Sequence, residues 1–549
     1  MRLPHLFSLL LLTGTLTAPA ELRLPSVFGD HMVLQRDKEV AVWGWAETGE
    51  KVIVKFAGQS HATTAGQNGK WRVELDQLAA SFEGRELQVS AGEKTVTISD
   101  VLVGEVWVCG GQSNMEWTLR GSRDADIEID SADFPGIRFL RLPKVAHLVP
   151  QDDFPVANPK GGEGSWRRAI PEEVENCTAV GYYFAKRLQR RLRVPVGLLD
   201  TSWGGTMAQH WVSKETLRPI ETMEPYLAQF EAALKVWKDG GGEAGAKKRL
   251  AEDNAAWEKK RDEAKVKGEK EPRGRPNRNN YTDPSTKGQP GGMYNGVLMP
   301  IASYTVRGAV FYQGENNSFT VGWKPFPETF PAVIADWRKA FDNPTMPMAL
   351  IQIAGWSTRR SMTYDMNHHT NIVREVQHLT WERTPHTGLI VTYDTNSNGS
   401  IHPGRKLPVG ERTARWALAE VYDVKPRGSR DALEWRGPVF ESAKVVEKKF
   451  LITFKGGSNR GLRLDQDVEV GFYLAGEDRE FHHARARVLK DNQLEVWSEA
   501  VPQPVAVRYA WSNLPMGGLM NGRELPAYPF RSDKWPLVPH QSTGEYQVK

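Results

Sequence analysis

A chain of 549 residues is too long for one ordinary hydrophobic core, so roughly two to four domains are expected. Its charged quarter nets only +4 and forms no long basic stripe, which argues against a nucleic-acid partner. Two cysteines, Cys109 and Cys177, leave one disulfide open but cannot frame the fold or make a zinc site alone.

The chain opens as a secretory leader over residues 1–20. Arg2 and His5 give a short charged start, Leu6 to Leu12 an apolar run, and Ala18-Pro19-Ala20 an A-x-A cleavage site. The run is too short to span a bilayer and nothing later matches it, so no transmembrane anchor is expected after cleavage. The expected location is secreted or periplasmic.

Residues 21–100 alternate apolar and polar positions in short runs, as in Val40-Ala41-Val42-Trp43 and Lys70-Trp71-Arg72-Val73-Glu74-Leu75. Gly, Asn and Asp punctuate them, a pattern that predicts an amino-terminal β-sandwich domain. From 101 to 434 the texture becomes that of an α/β domain. Strand-length apolar runs at Val106–Cys109, Val196–Leu199, Ala309–Tyr312, Ala349–Ile353 and Leu389–Thr392 alternate with helical stretches at 177–192 and 409–422. Apolar on both faces, such strands suit a parallel sheet covered by helices. Residues 238–292 interrupt this domain with Gly240-Gly241-Gly242, a charge-laced helix and a Pro/Gly/Asn/Arg-rich run, read as an inserted helix and loop without a catalytic part. Alternation returns over 435–549, a carboxy-terminal β domain and tail. The high count of 19 Trp also offers faces for stacking on sugar rings, beyond those that fill cores.

In open parallel sheets the loops at the carboxyl ends of strands form the active site. Here those loops read Gly110-Gly111-Gln112-Ser113-Asn114-Met115, Asp200-Thr201-Ser202-Trp203-Gly204-Gly205-Thr206, Gln313-Gly314-Glu315-Asn316-Asn317, and Asp394 through Ser400-Ile401-His402-Pro403. Their contents suit acyl transfer. A serine hydroxyl becomes a competent nucleophile when an imidazole takes its proton, and the carbonyl it attacks needs donors fixed for the oxyanion. Backbone N–H groups of Ser113 and Gly205 can supply two, and a side-chain amide of Gln313 or Asn317 another. The His368-His369 and His482-His483 pairs lack ligand spacing, so no metal site is expected.

These blocks resemble those of the sialate O-acetylesterases, among the SGNH-type hydrolases. The resemblance spans nearly the whole chain after the leader: Leu24 to Arg36, Tyr294-Asn295-Gly296, Arg374-Glu375-Val376-Gln377, Arg508 to Trp511 and Leu525 to Arg531 match as well. It implies an α/β fold, a flavodoxin-like three-layer sandwich flanked by amino- and carboxy-terminal β-sandwich domains, and no metal or organic cofactor. It also implies a serine esterase acting on an O-acetylated carbohydrate, with Ser113 as nucleophile and His402 as base. Gln112, Gly205, Gln313, Glu315 and Asn317 then serve the oxyanion and substrate. Many relatives place an aspartate two residues before the histidine. Ser400 stands there in this chain, leaving either Asp394 as orienter of the ring or a Ser-His dyad. The substrate reading stays divided between O-acetylated sialic acids and acetylated xylan or pectin, with a non-catalytic carbohydrate-binding protein as the rival class.

Overall fold

The structure, a computed structural model, describes residues 21–156, 163–277, 281–319, 322–355, 369–396, 400–465 and 471–536. The leader at 1–20 and His368 lie outside the described residues.

The organising element is the strand Lys94–Gly111, eighteen residues long. Its first half pairs antiparallel with Ser81–Ala91 and its last half runs into the central sheet, so residue 100 marks no break in the backbone. That sheet is ordered Thr387–Ile390, Met348–Ile351, Gly308–Tyr312, Lys94–Gly111, Val196–Asp200, Phe134–Arg141, Trp166–Ala169. All neighbours are parallel except the last pair. Counted along the chain, the five strands expected from the apolar runs lie 2-1-3-4-5, the flavodoxin-like order.

The sheet is buried on both faces because each strand alternates between two apolar layers. Val106, Val108, Ala309, Phe311 and Leu350 pack with Phe330, Val333 and Trp337 of the helix Phe326–Ala340. Trp107, Cys109, Val310, Tyr312 and Ile351 pack instead with Val180 and Phe184 of Ala179–Leu192 and Trp416 of Leu407–Glu420. Two-residue periodicity thus sends successive side chains into opposite cores. Cys109 and Cys177 lie in the second layer as free, buried thiols.

Around this unit the pairings are antiparallel, apart from Val33–Gln35, which runs parallel to Lys94–Gly111. Before it, Val40–Trp45 pairs with Lys70–Leu75, and Lys51–Phe56 with Gln59–Thr64 and Ser81–Ala91. After it come two four-stranded sheets, Phe440–Val446 with Lys449–Phe454, Leu494–Trp497 and Arg485–Val488, and Phe481–His483 with Phe472–Ala475, Ala506–Tyr509 and Phe530–Arg531. The carboxy-terminal part is tied to the central one by polar contacts. Tyr528 donates to Leu389 O at 2.7 Å, and Arg531 pairs with Glu375 at 2.7 Å.

The interrupting segment contains the helix Gly242–Val266, as its charge pattern predicts, packed against Glu224–Asp239. Its far end is a loop packed against the rest of the chain. Gly291 N–H donates to Gln209 O at 3.0 Å, and Gln289 donates to His147 O, so the chain from 286 to 292 is seated beside the loop that follows Val196–Asp200.

Candidate active site

Lys94–Gly111 is the point where the sheet order reverses, and the loops leaving it, Val196–Asp200 and Gly308–Tyr312 meet there. Close approach forces the two glycines before Ser113. A Cβ on Gly110 would fall 2.3 Å from the Trp337 ring, and Gly111, at φ +120°, leaves only 2.1 Å between such a Cβ and Tyr312 O. The backbone then turns directly into the one-turn helix Ser113–Glu116, which lifts Ser113 to a half-buried position at the sheet's edge.

His402 arrives from the loop after Thr387–Ile390, and its Nε2 lies 2.7 Å from Ser113 Oγ, across 289 residues of sequence. Trp117 stacks on the imidazole at 5.2 Å between centroids and 23° between planes. Burial, and then the charge of Lys406, lower the His402 pKa, with Glu116 opposing; a neutral ring is thereby favoured. With Nε2 accepting from the serine hydroxyl, the proton sits on Nδ1, which finds no acceptor among the described residues.

Asp394 does not fill that place. Both of its carboxylate oxygens accept from Arg412, at 2.7 and 2.6 Å, so the expected orienting role is corrected to an ion pair with the helix Leu407–Glu420. Ser400 acts on the backbone instead, its Oγ accepting from His402 N–H at 3.0 Å. Among the described residues, Ser113 and His402 form a hydrogen-bonded pair with no carboxylate on the far side of the ring.

The oxyanion candidates divide. The N–H groups of Ser113 and Gly205 have no acceptor among the described residues. Gly204, whose Cβ would lie 3.1 Å from Ser113 Cβ, donates its own N–H to Glu116 Oε2 at 2.5 Å, fixing this peptide against the serine. Gly205 adopts φ +73°, a left-handed conformation suited to glycine. The amides expected to help are spent elsewhere. Gln313 Nε2 donates to Gln112 Oε1 at 2.7 Å and Thr206 O at 2.8 Å. Asn317 Nδ2 donates to Gln209 Oε1 at 3.2 Å and Gly322 O at 3.1 Å, while its Oδ1 accepts from Ala208 N–H. Gln112 Oε1 also accepts from Asn316 N–H at 3.1 Å. Gln313 and Asn317 therefore spend their side-chain N–H groups on bracing the two loops, and Gln112 joins the brace as an acceptor through Oε1.

Glu315 is likewise structural. It is buried, and burial raises its pKa. One oxygen accepts from Asn114 Nδ2 at 2.5 Å, and Asn114 also donates to Ile401 O at 3.0 Å and accepts from Lys406. The buried Lys406, its pKa pulled down to about 7 by desolvation, thus shares with Glu315 a network that clamps the residue after Ser113 to the residue before His402. Asn114 stands in the motif that marks the nucleophile; Lys406, four residues past His402, carries no sequence signal.

No protein-family model matches the chain. A carbohydrate acetylesterase from Xanthomonas citri has a similar structure, with a TM-score of 0.74 and 30% identity over 93% of this chain and 100% of that one. The chain belongs to the sialate O-acetylesterase family. Sialate O-acetylesterases of Rattus norvegicus and Homo sapiens are 26% and 25% identical to it, over 82% and 81% of this chain and 80% and 78% of theirs. As a member of this family of carbohydrate esterases, the chain is a carboxylic ester hydrolase whose relatives support removal of O-acetyl groups from sugars. Among the described residues, no helix of this family member is long and apolar enough to cross a membrane.

Proposed function

We propose that the chain is an exported serine esterase that removes O-acetyl groups from acidic sugars, O-acetylated sialic acids first among them, through an acetyl-Ser113 intermediate. The 2.7 Å approach of Ser113 Oγ to His402 Nε2 carries this reading. Ser113 Oγ attacks the acetyl carbonyl carbon while Nε2 takes the hydroxyl proton. The oxyanion that forms accepts from the N–H groups of Ser113 and Gly205. Collapse breaks the bond to the sugar oxygen, which leaves with the proton returned from Nε2. Water, deprotonated by the same imidazole, then attacks the acetyl-serine and releases acetate. With no carboxylate behind the ring among the described residues, the imidazolium formed in each step is steadied by the face of Trp117 and the charge of Glu116. The leader at 1–20 supports export to a secreted or periplasmic location, and the antiparallel sheets on either side of the central unit are read as β-sandwich domains that carry it.

The test is acetate release from acetylated sialosides, xylans and pectins, alongside p-nitrophenyl acetate, for the wild type and for Ser113→Ala and His402→Ala. Either substitution should lower kcat by at least about 1,000-fold, and brief exposure to substrate should leave one acetyl group on Ser113 by mass spectrometry. Equal hydrolysis by wild type and Ser113→Ala would identify a carbohydrate-binding module instead.

A further inference from the structure

We infer that Lys287, delivered by the end of the inserted segment, anchors the carboxylate of an acidic O-acetylated sugar at the mouth of the site. This rests on the esterase reading above and names what that site selects. A Cβ placed on Gly205 would lie 2.4 Å from Lys287 Nζ and 2.9 Å from its Cε. The ammonium therefore touches the glycine whose N–H faces the reaction. Among the described residues, two other cations near this edge are committed: Lys144 pairs with Glu116, and Lys406 donates to Asn114 in the interior. Lys287 is half-buried and makes no ion pair or hydrogen bond among the described residues.

Its position is built, not incidental. Met207 N–H donates to His210 Nδ1 at 3.0 Å, which leaves the proton on Nε2 to be given to the Tyr226 oxygen at 2.9 Å. Tyr226 in turn donates to the carbonyl of Gly288, the residue after Lys287. His210 is buried and its pKa is held down at about 3, by desolvation and by the Lys287 charge, so the ring stays neutral and the relay keeps its direction. One end of the relay is the loop that carries Gly205; the other is the backbone that carries Lys287. A partly desolvated ammonium without a counter-ion, fixed beside the reacting centre, matches a substrate carboxylate. Sialic acids and uronic acids both carry one on a sugar whose hydroxyls can be acetylated.

The experiment measures acetate release from an O-acetylated sialic acid, an acetylated oligogalacturonide, the uncharged amide of each, an acetylated xylo-oligosaccharide and p-nitrophenyl acetate. Lys287→Met should lower kcat/KM on the acidic sugar by about 10- to 100-fold, mainly through KM, and by a much smaller factor on the amide and p-nitrophenyl acetate. In the wild type, converting acid to amide should cost the same factor, and the variant with the amide no more than either change alone. Whichever acid shows this pattern identifies the source of the carboxylate. Tyr226→Phe, which cuts the tie to Gly288, should reproduce part of the KM effect with the same preference for the charged substrate. An equal loss on p-nitrophenyl acetate and on the acids would overturn the inference, as would no loss on the acids. Turnover of the xylo-oligosaccharide with neither acid cleaved would overturn it too. In each of those cases Ser113→Ala still abolishes activity, whereas an unaffected Ser113→Ala is the separate signature of a failed esterase reading.

Discussion

The loops Asp200–Thr206 and Gln313–Asn317 leave the two strands on either side of Lys94–Gly111, flank the same serine, and are alike in being polar and glycine-containing. They do opposite things. In the second loop the amides of Gln313 and Asn317 are consumed: they donate twice each, to side chains and carbonyls that tie this loop to its neighbours. In the first, the peptide before Gly205 is pinned through Gly204 N–H to Glu116, and the Gly205 N–H is left over. A polar group at the end of a strand serves chemistry only when its hydrogen-bonding capacity is unspent, and the spent ones are what keep the others aimed.

The largest expected effect separates the two loops directly. Gly205→Ala puts a Cβ on a backbone at φ +73° and into the Lys287 ammonium, so the peptide must rotate and the oxyanion donor is misplaced. Its kcat should fall about 100-fold, as for loss of one oxyanion donor, with a Tm shift that corresponds to no more than about 2 kcal/mol of backbone strain. Gln313→Ala should show the reverse balance. It strips partners from the buried Gln112 and Thr206 and should cost about 2–4 kcal/mol of stability, while kcat measured well below its Tm falls less than in Gly205→Ala. Steady-state kinetics beside thermal melts decide the matter. If Gln313→Ala loses turnover as severely at unchanged Tm, the division of labour between the loops is wrong.

A smaller effect tests the network under the dyad. Catalysis needs His402 neutral, so kcat/KM rises with pH through the His402 pKa, and that acid limb should lie below the ordinary imidazole value of about 6.5. The Lys406 charge is one cause of the depression, after burial. In Lys406→Met the nearby cation is gone, the His402 pKa rises, and the acid limb moves to higher pH. A limb that stays in place would show that Lys406 only clamps Asn114 and that its charge does not reach the imidazole.

Much of this was legible because burial on both faces leaves a mark on sequence. Val106–Cys109 and Ala309–Tyr312 are apolar throughout because alternate residues enter two different cores, so the strands and the α/β class could be read from apolar runs alternating with helical stretches. The serine and histidine were legible through the glycines that close packing demands and through resemblance to known blocks. Partnership was not. Gln313 and Asn317 are donors in any sequence, but whether a donor is free depends on Thr206, Gln209 and Gln112, which only folding brings near. Lys287 lies in a Pro/Gly-rich run without periodicity, and nothing in that run tells that its end docks on the Gly205 loop. The boundary at residue 100 was placed by a change of texture, while the backbone carries one strand straight through it.

The smallest expected effect concerns the other side of the histidine, where the same lesson about spent capacity applies to a carboxylate. Asp394 gives both oxygens to Arg412, with side chains 31% and 15% exposed, so Asp394→Asn should cost about 1 kcal/mol or less. Its kcat and pH profile should match the wild type. Were Asp394 the holder of the His402 ring, the isosteric amide would favour the wrong tautomer and turnover would drop by about 10⁴-fold, as it does where an aspartate orients a catalytic imidazole. The two outcomes are far enough apart that one kinetic measurement suffices. A near-silent Asp394→Asn leaves the ring held by Trp117 on its face and by its backbone bond to Ser400, and makes the dyad a working catalyst without a third member.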